Sequence, residues 1–185
     1  GCAAATEKSE FAGPDWSRGI RVGTSHVNNR PGIVWNPADG VVIVSWLANT
    51  EQGWRIQIAR ITPQVESSTV TLPFTMRAPT RQQIALGGQD ALHVFWLDGA
   101  SGKRPGLYHA RTTTQGVPLD EPMRISGDGS DVTGYCTFRA TDGALDVIWA
   151  DVSGAESRLF HARLGDSGEL LVPPHALGVA GSDPY

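Results

Sequence analysis

Apolar residues occur in short runs that alternate with polar and turn residues, and three of these runs end in a tryptophan. The runs VVIVSW, ALHVFW and ALDVIW end at Trp46, Trp96 and Trp149, so the tryptophans are 50 and 53 residues apart. Alternation with a period of two is typical of β-strands. The pattern therefore predicts three equivalent strands in a repeated unit.

A second apolar segment follows each tryptophan at a nearly constant distance. These segments end in Ala-Arg at Arg60, Arg111 and Arg163, which lie 14 or 15 residues after their tryptophan. Helical periodicity is nowhere sustained, because Gly or Pro interrupts every long stretch. Further strand-like segments lie before and after each pair, at 32–35, 82–86 and 134–139 and at 69–74, 122–126 and 170–173. The sequence thus predicts an all-β fold of three four-stranded antiparallel meanders.

The tryptophan strands are apolar on both faces. In the middle copy, alternation places Leu92, Val94 and Trp96 on one face and His93 and Phe95 on the other. A strand that is buried on both faces lies within stacked sheets, and radial stacking of four-stranded sheets produces the blades of a β-propeller. We therefore predict propeller blades in which the repeated tryptophan fills the gap between neighbours.

The repeats divide the chain into a tether at 1–15 and a propeller-like domain at 16–185, with blades over about 28–76, 77–127 and 128–180. A propeller ring usually contains about four to eight blades. Three blades do not close such a ring, so we expect a half-ring or part of a larger propeller. A second copy, a partner subunit or a missing C-terminal part of the protein would supply the other blades.

Charge and composition exclude some functions. The net charge is −4 and the charged residues are interspersed, so no basic stripe is available for nucleic acid. No run approaches the roughly 18 apolar residues of a spanning helix. No cofactor and no metal site are predicted, because the equivalent residues His109 and His161 correspond to Ile58 in the first repeat, which indicates a packing position.

The turn after the third Ala-Arg resembles the Asp-box of sialidase-type propellers, which reads Ser-x-Asp-x-Gly-x-Thr-Trp. Residues 164–171 keep Asp166 and Gly168, and residues 112–119 keep Gly116, whereas the Thr and Trp of the box are absent. The resemblance implies a β-propeller fold. In the catalytic members of that family, an arginine cluster, a tyrosine nucleophile and an aspartate lie at the axial end of the ring.

Arginines are the candidates for a substrate contact of that kind. Arg30, in the segment NRPGIV, resembles the arginine of the Arg-Ile-Pro motif that opens the first catalytic blade of sialidases. The three Ala-Arg arginines lie on the third strand of each repeat, away from the axis. We expect their stems to pack on the blades and their guanidinium groups to be paired at turns.

Polar residues shortly after each tryptophan open the loops on one rim of the predicted propeller. Rim loops are common binding sites, so the rim candidates for binding are Asn49, Asp98, Lys103, Arg104 and Asp151. In the alternative interpretation the aspartates accept hydrogen bonds from turn amides and have no ligand.

The first residues, Gly1-Cys2-Ala3, resemble the processing site of a bacterial lipoprotein. Cys2 is then a lipid anchor that holds the protein to a membrane; an expression-vector remnant is the alternative. Two functional hypotheses follow. The chain is a non-catalytic extracytoplasmic binding or scaffold module, lipid-anchored or secreted, that contacts a protein or a glycan. The alternative is the N-terminal part of a sialidase-type glycoside hydrolase.

Overall fold

Every regular element in the described part of the chain is a β-strand. The computed structural model describes residues 21–25, 29–88, 90–99, 104–153 and 156–178. The strands are β1 (Gly32–Asn36), β2 (Val41–Thr50), β3 (Gly53–Ile61), β4 (Ser67–Thr71), β5 (Thr80–Leu86), β6 (Ala91–Asp98), β7 (Gly106–Thr113), β8 (Met123–Arg124), β9 (Val132–Arg139), β10 (Leu145–Asp151), β11 (Arg158–Leu164) and β12 (Leu170–Leu177).

These strands form three antiparallel sheets of four strands each, in the orders β1-β2-β3-β4, β5-β6-β7-β8 and β9-β10-β11-β12. We call the sheets blades 1, 2 and 3. The predicted meanders are confirmed. The outermost strands differ most from the prediction, since β8 has only two residues whereas β12 continues to Leu177.

The first strands of the blades lie next to one another, with β5 in contact with both β1 and β9. They are the innermost strands, as in a propeller. One apolar cluster fills the space between blades 1 and 2, and a second fills the space between blades 2 and 3. Strand β6 supplies both clusters, because Val94 and Trp96 belong to the first and Phe95 and Leu97 to the second. The prediction of a strand buried on both faces is confirmed.

Two of the repeated tryptophans pack between the sheets, whereas Trp46 of blade 1 belongs to neither interblade cluster and is buried beside Gly23. Trp96 is buried and stacks on Phe74 of blade 1 and on Tyr108 of its own blade, with ring centroids 5.7 and 5.8 Å apart. Trp149 is also buried and stacks on Phe160 at 5.6 Å. Neither indole nitrogen has a hydrogen-bond partner among the described residues. Their contribution is therefore apolar packing.

Positions that are covered inside the array are open at its two ends. Leu107 of blade 2 faces blade 3 and is 0% exposed, whereas Leu159, at the same register position of blade 3, is 50% exposed. On the other side, Ile84 of blade 2 is 8% exposed and its blade 1 counterpart Ile33 is 69% exposed. The outer faces of blades 1 and 3 thus carry exposed apolar side chains, although Trp46 of blade 1 is buried beside Gly23.

Some predictions concern residues outside the described part of the chain. The tether at 1–15, the proposed lipid anchor Cys2 and the rim residue Lys103 belong to this group. Among the described residues, no helix has the length and apolar character that crossing a membrane requires.

Candidate functional site

A polar pocket of about 400 Å³ lies where the innermost strands of the three blades meet. We call it the axial pocket. Blade 1 contributes Arg30, which directly precedes β1, and blade 3 contributes Tyr135 of β9. Blade 2 contributes three consecutive residues of β5: Arg81, Gln82 and Gln83.

A β-bulge in β5 creates this concentration of residues. Thr80 pairs with Leu97 and Gln83 pairs with Phe95, so Arg81 and Gln82 together oppose the single residue Trp96. In blade 3 the equivalent tryptophan faces one residue, Tyr135. The extra residue places Arg81 at φ 54°, in the left-handed region that non-glycine residues seldom adopt. Bulges of this kind redirect side chains and are frequent beside binding sites.

Neighbouring blades hold the bulge from both sides. The backbone N–H of Arg81 donates to Asn29 Oδ1 of the segment before β1, at 3.1 Å. The Tyr135 hydroxyl of blade 3 donates to the backbone carbonyl of Arg81. Gly134 leaves room for the Arg81 side chain, because a Cβ at that position would lie 3.3 Å from Arg81 Nη1.

The two glutamines join the blades around the pocket. The buried Gln82 side chain donates from Nε2 to the carbonyls of Arg30, at 2.7 Å, and Ser45, at 3.2 Å, which ties blade 2 to blade 1. Gln83 Nε2 donates to the carbonyl of Tyr135 at 3.4 Å, which ties blade 2 to blade 3. The pocket therefore belongs to the assembled blades and not to one sheet.

The axial pocket is basic although the chain as a whole is acidic, at −4. Its lining has two guanidinium groups and no carboxylate, and neither Arg30 nor Arg81 forms an ion pair within the described residues. Burial raises the pKa of the Tyr135 hydroxyl well above its usual value and outweighs the opposing effects of Gln83 and Arg81. The phenol is thus protonated at neutral pH and donates to the Arg81 carbonyl, so the two guanidinium groups are the donors that the pocket presents to an anion.

The structure places Arg30 in this pocket, and the three Ala-Arg arginines elsewhere. Arg60 pairs with Asp39 at 3.2 Å and Arg163 with Asp142 at 2.5 Å, each in the turn between the first two strands of its own blade. Arg111 instead pairs with Asp120, at 2.7 Å. All three are engaged at turns, as the sequence predicts.

Two of the rim residues hold backbone segments. The Asp98 carboxylate accepts hydrogen bonds from the backbone N–H groups of Arg77, at 3.2 Å, and Ala78, at 2.8 Å, just before β5. Asp151 is buried and accepts from the N–H groups of Asp131, at 3.0 Å, and Ser153, at 2.8 Å. For both aspartates the structure shows the turn-amide arrangement.

The charge state of Asp151 follows from these contacts. Burial alone raises the pKa of this carboxyl, but hydrogen bonds from Ser130, Asp131 and Ser153 outweigh that effect and lower the pKa to about 2. The carboxylate is consequently charged throughout the neutral range and holds the segment before β9.

The remaining described rim residues are at the surface. Asn49 is exposed and pairs with Trp54 in the β2–β3 register. Arg104 is exposed, donates from Nη1 to the Ser153 carbonyl at 2.8 Å and lies 3.7 Å from Asp131 Oδ2 through Nε. The structure does not bring these residues together with Arg30.

Sequence reasoning missed Arg81, Gln83 and Tyr135. A signal for Arg81 was present, because Arg30 and Arg81 are 51 residues apart and the first two repeat tryptophans are 50 apart. The extra residue lies in the turn before β2, because Ile33 pairs with Val44 across 11 positions whereas Ile84 pairs with Val94 across 10. Tyr135 is recognised as the counterpart of these residues in blade 3 only when the first strands are aligned in the register of the tryptophans.

A second polar feature is buried between blades 2 and 3. His93 Nδ1 and His109 Nε2 are 3.0 Å apart, and both residues are buried. Burial lowers the pKa of His93 to about 4, with a further contribution from Arg111. Burial and the neighbouring His93 lower the pKa of His109 to about 3. No cluster of three or more metal-ligating residues occurs among the described residues.

Comparison with known proteins identifies the fold. No protein-family model matches the chain, and no curated protein has a matching sequence. An endo-arabinase from Bacteroides thetaiotaomicron has a similar structure, with a TM-score of 0.58 at 10% identity over 80% of this chain and 55% of that one. A polysaccharide lyase has a TM-score of 0.55 at 13% identity, covering 85% and 43%.

A third similar structure is an endo-1,4-β-xylanase from Bacteroides thetaiotaomicron, with a TM-score of 0.51 at 13% identity, covering 79% of this chain and 58% of that one. The chain thus spans about half the length of these three solved structures. At such low identity the likeness establishes the blade arrangement alone.

Proposed function

We propose that this chain is part of an extracytoplasmic propeller that binds a carbohydrate bearing a carboxylate group, such as a uronic acid residue, in the axial pocket. The observation that carries the proposal is a pair of guanidinium groups, Arg30 and Arg81, that form no ion pair with any described residue and line a pocket to which the described residues contribute no carboxylate. Planar guanidinium groups bind carboxylates with two parallel hydrogen bonds. The Tyr135 ring lines the same pocket, while its hydroxyl and the Gln83 amide donate to backbone carbonyls.

The similar structures support a carbohydrate ligand, because they are named as an endo-arabinase, an endo-xylanase and a polysaccharide lyase. Binding is the function that the described residues support best. Glycoside hydrolysis generally uses two carboxylates that flank the bond, and the pocket lining has none.

The sialidase-type hydrolase is the second candidate, and Arg30 is the observation in its favour. In that case the catalytic groups would come from blades outside the described residues. Tyr135 is a poor nucleophile here, because its hydroxyl donates to a backbone carbonyl and burial raises its pKa.

Calorimetric titration tests the proposal. We expect the chain to bind a glucuronic acid oligosaccharide and to bind the carboxyl-reduced, neutral form at least tenfold more weakly. Arg81→Ala should weaken acid binding about 10- to 100-fold, the usual range for a charge-assisted hydrogen bond. The control is Arg158→Ala, at an exposed arginine of β11 outside the pocket. Equal affinity for acidic and neutral forms would refute the proposal.

We further propose that additional blades of the same type cover the outer faces of blades 1 and 3. Exposure of Ile33 and Leu159 at positions that are buried between blades supports this arrangement. The 185-residue chain alone should therefore self-associate, and Leu159→Glu should reduce the association measured by sedimentation velocity. A monodisperse, protease-resistant monomer would contradict it.

The membrane anchor stays a prediction from the first residues. If Cys2 carries a lipid, bacterial cells that express the protein from its natural leader should incorporate labelled palmitate into it. Cys2→Ser should abolish the label. Incorporation that is unchanged in the variant would place the lipid elsewhere.

A further inference from the structure

The conformation of Arg81 depends on residues of the two neighbouring blades. Its φ of 54° is uncommon for an arginine, so contacts outside β5 have to hold it. Asn29 accepts from its N–H and Tyr135 donates to its carbonyl, so both backbone polar groups of Arg81 are bound by other blades.

Blade 3 also provides the space that the Arg81 side chain occupies. Its Nη1 lies beside Gly134, where a Cβ would be 3.3 Å away. The residue next to this glycine is Tyr135, whose hydroxyl holds the Arg81 carbonyl. The same short segment of β9 thus accommodates the guanidinium group and fixes the backbone that carries it.

We infer that Tyr135 is a positioning residue, which acts through Arg81: its hydroxyl locks the bulge so that the Arg81 guanidinium faces an anionic ligand in the axial pocket. The inference rests on the proposed function for the identity of the ligand. The hydroxyl is already used in a hydrogen bond to protein, which leaves Arg81 and Arg30 as the groups that contact the anion. Asn29, in the segment before β1, also holds the bulge, because its side chain accepts from the Arg81 N–H.

The binding conformation of Arg81 therefore depends on the assembly of all three blades. The anion-binding arginine belongs to blade 2, but its conformation is set by blades 1 and 3. Separation of blade 2 from either neighbour removes a contact to the bulge. The preorganised arginine gains affinity because less conformational freedom is lost when the ligand binds.

A double-mutant cycle tests the inference. Tyr135→Phe should weaken binding of the glucuronic acid oligosaccharide about three- to tenfold, in the range of one neutral hydrogen bond. In an Arg81→Ala background the same change should have no further effect, because Tyr135 acts through Arg81. The control is Tyr108→Phe, at a tyrosine that stacks on Trp96 outside the pocket. Additive losses in the cycle would overturn the inference.

A second measurement needs no ligand and separates this inference from the proposed function. Hydrogen exchange at the Arg81 amide should be faster in Tyr135→Phe and in Asn29→Ala than in the native protein, while exchange at the Ile84 amide is unchanged. If the amide responds in this way but no acidic glycan binds, the proposed function is wrong and the positioning role holds. If Tyr135→Phe leaves exchange at the Arg81 amide unchanged, the positioning role of Tyr135 is wrong, whatever the effect of Asn29→Ala.

Discussion

Acidification should destabilise the junction between blades 2 and 3 through the buried histidine pair. His93 and His109 are neutral in the folded protein, with pKa values lowered to about 4 and about 3. The charged groups around them are Arg111 and Asp120 of blade 2 and a cluster of Arg139 and Asp166 in blade 3. In the unfolded chain both imidazoles titrate near their ordinary pKa of about 6.5.

The sign and size of the effect follow from these values. Below about pH 6.5 the imidazoles of the unfolded state bind protons that those of the folded state do not bind. The free energy of unfolding therefore falls as pH falls. Each histidine contributes up to about 1.4 kcal/mol per pH unit, and the pair about 2.7 kcal/mol per pH unit, between about pH 6 and pH 4. Over the two pH units from 6 to 4 the free energy of unfolding falls by up to about 5 kcal/mol, which is large compared with a total stability of about 5–15 kcal/mol.

The chain offers a matched control for this effect. The equivalent residues of blade 1 are Ile43 and Ile58, at the same register positions, and both are buried. Urea denaturation followed by circular dichroism between pH 7 and pH 4.5 should give a steep pH slope for the native protein and a much shallower one for His93→Ile/His109→Ile. Equal slopes would refute the assignment of buried neutral histidines.

Two further predictions concern packing and the rim. Trp96→Ala should lower the free energy of unfolding by about 3–5 kcal/mol, because the ring is buried between blades. The control Trp35→Ala, at a ring that is 61% exposed, should change it by less than about 0.5 kcal/mol. Equal losses in urea denaturation would contradict the interblade position. Asp151→Ala should lower the free energy of unfolding by about 1–3 kcal/mol and accelerate hydrogen exchange at the Asp131 amide, while Asn49→Ala should leave both unchanged. Unchanged exchange in Asp151→Ala would show that the carboxylate does not hold this segment.

The blades were predictable because their signals are local and repeated. The tryptophan spacing sets the register of the second strands, and alternation shows that β6 is apolar on both faces. The recurring Ala-Arg identifies the third strands. Pairing of Arg60 with Asp39 and of Arg163 with Asp142 repeats because the turn aspartate repeats, whereas blade 2 has Gln89 at that sequence position and Arg111 uses Asp120 instead.

The axial pocket was less predictable because it depends on an irregularity and on contacts between blades. A bulge changes the side-chain alternation without a strong sequence signal, and Arg81 directly precedes the strand predicted at 82–86. Tyr135 becomes relevant only through its contact with Arg81, 54 residues away. Conversely, Asp98 and Asp151 attract notice as repeated acidic residues, although their carboxylates accept backbone amides.

The position of a bound uronate tests the central claim most directly. A crystal structure or intermolecular NMR contacts with a glucuronic acid oligosaccharide should place the carboxylate within hydrogen-bond distance of the Arg81 and Arg30 guanidinium groups, beside the Tyr135 ring. A ligand located instead on the rim, at Asp98 and Arg104, would contradict the axial site.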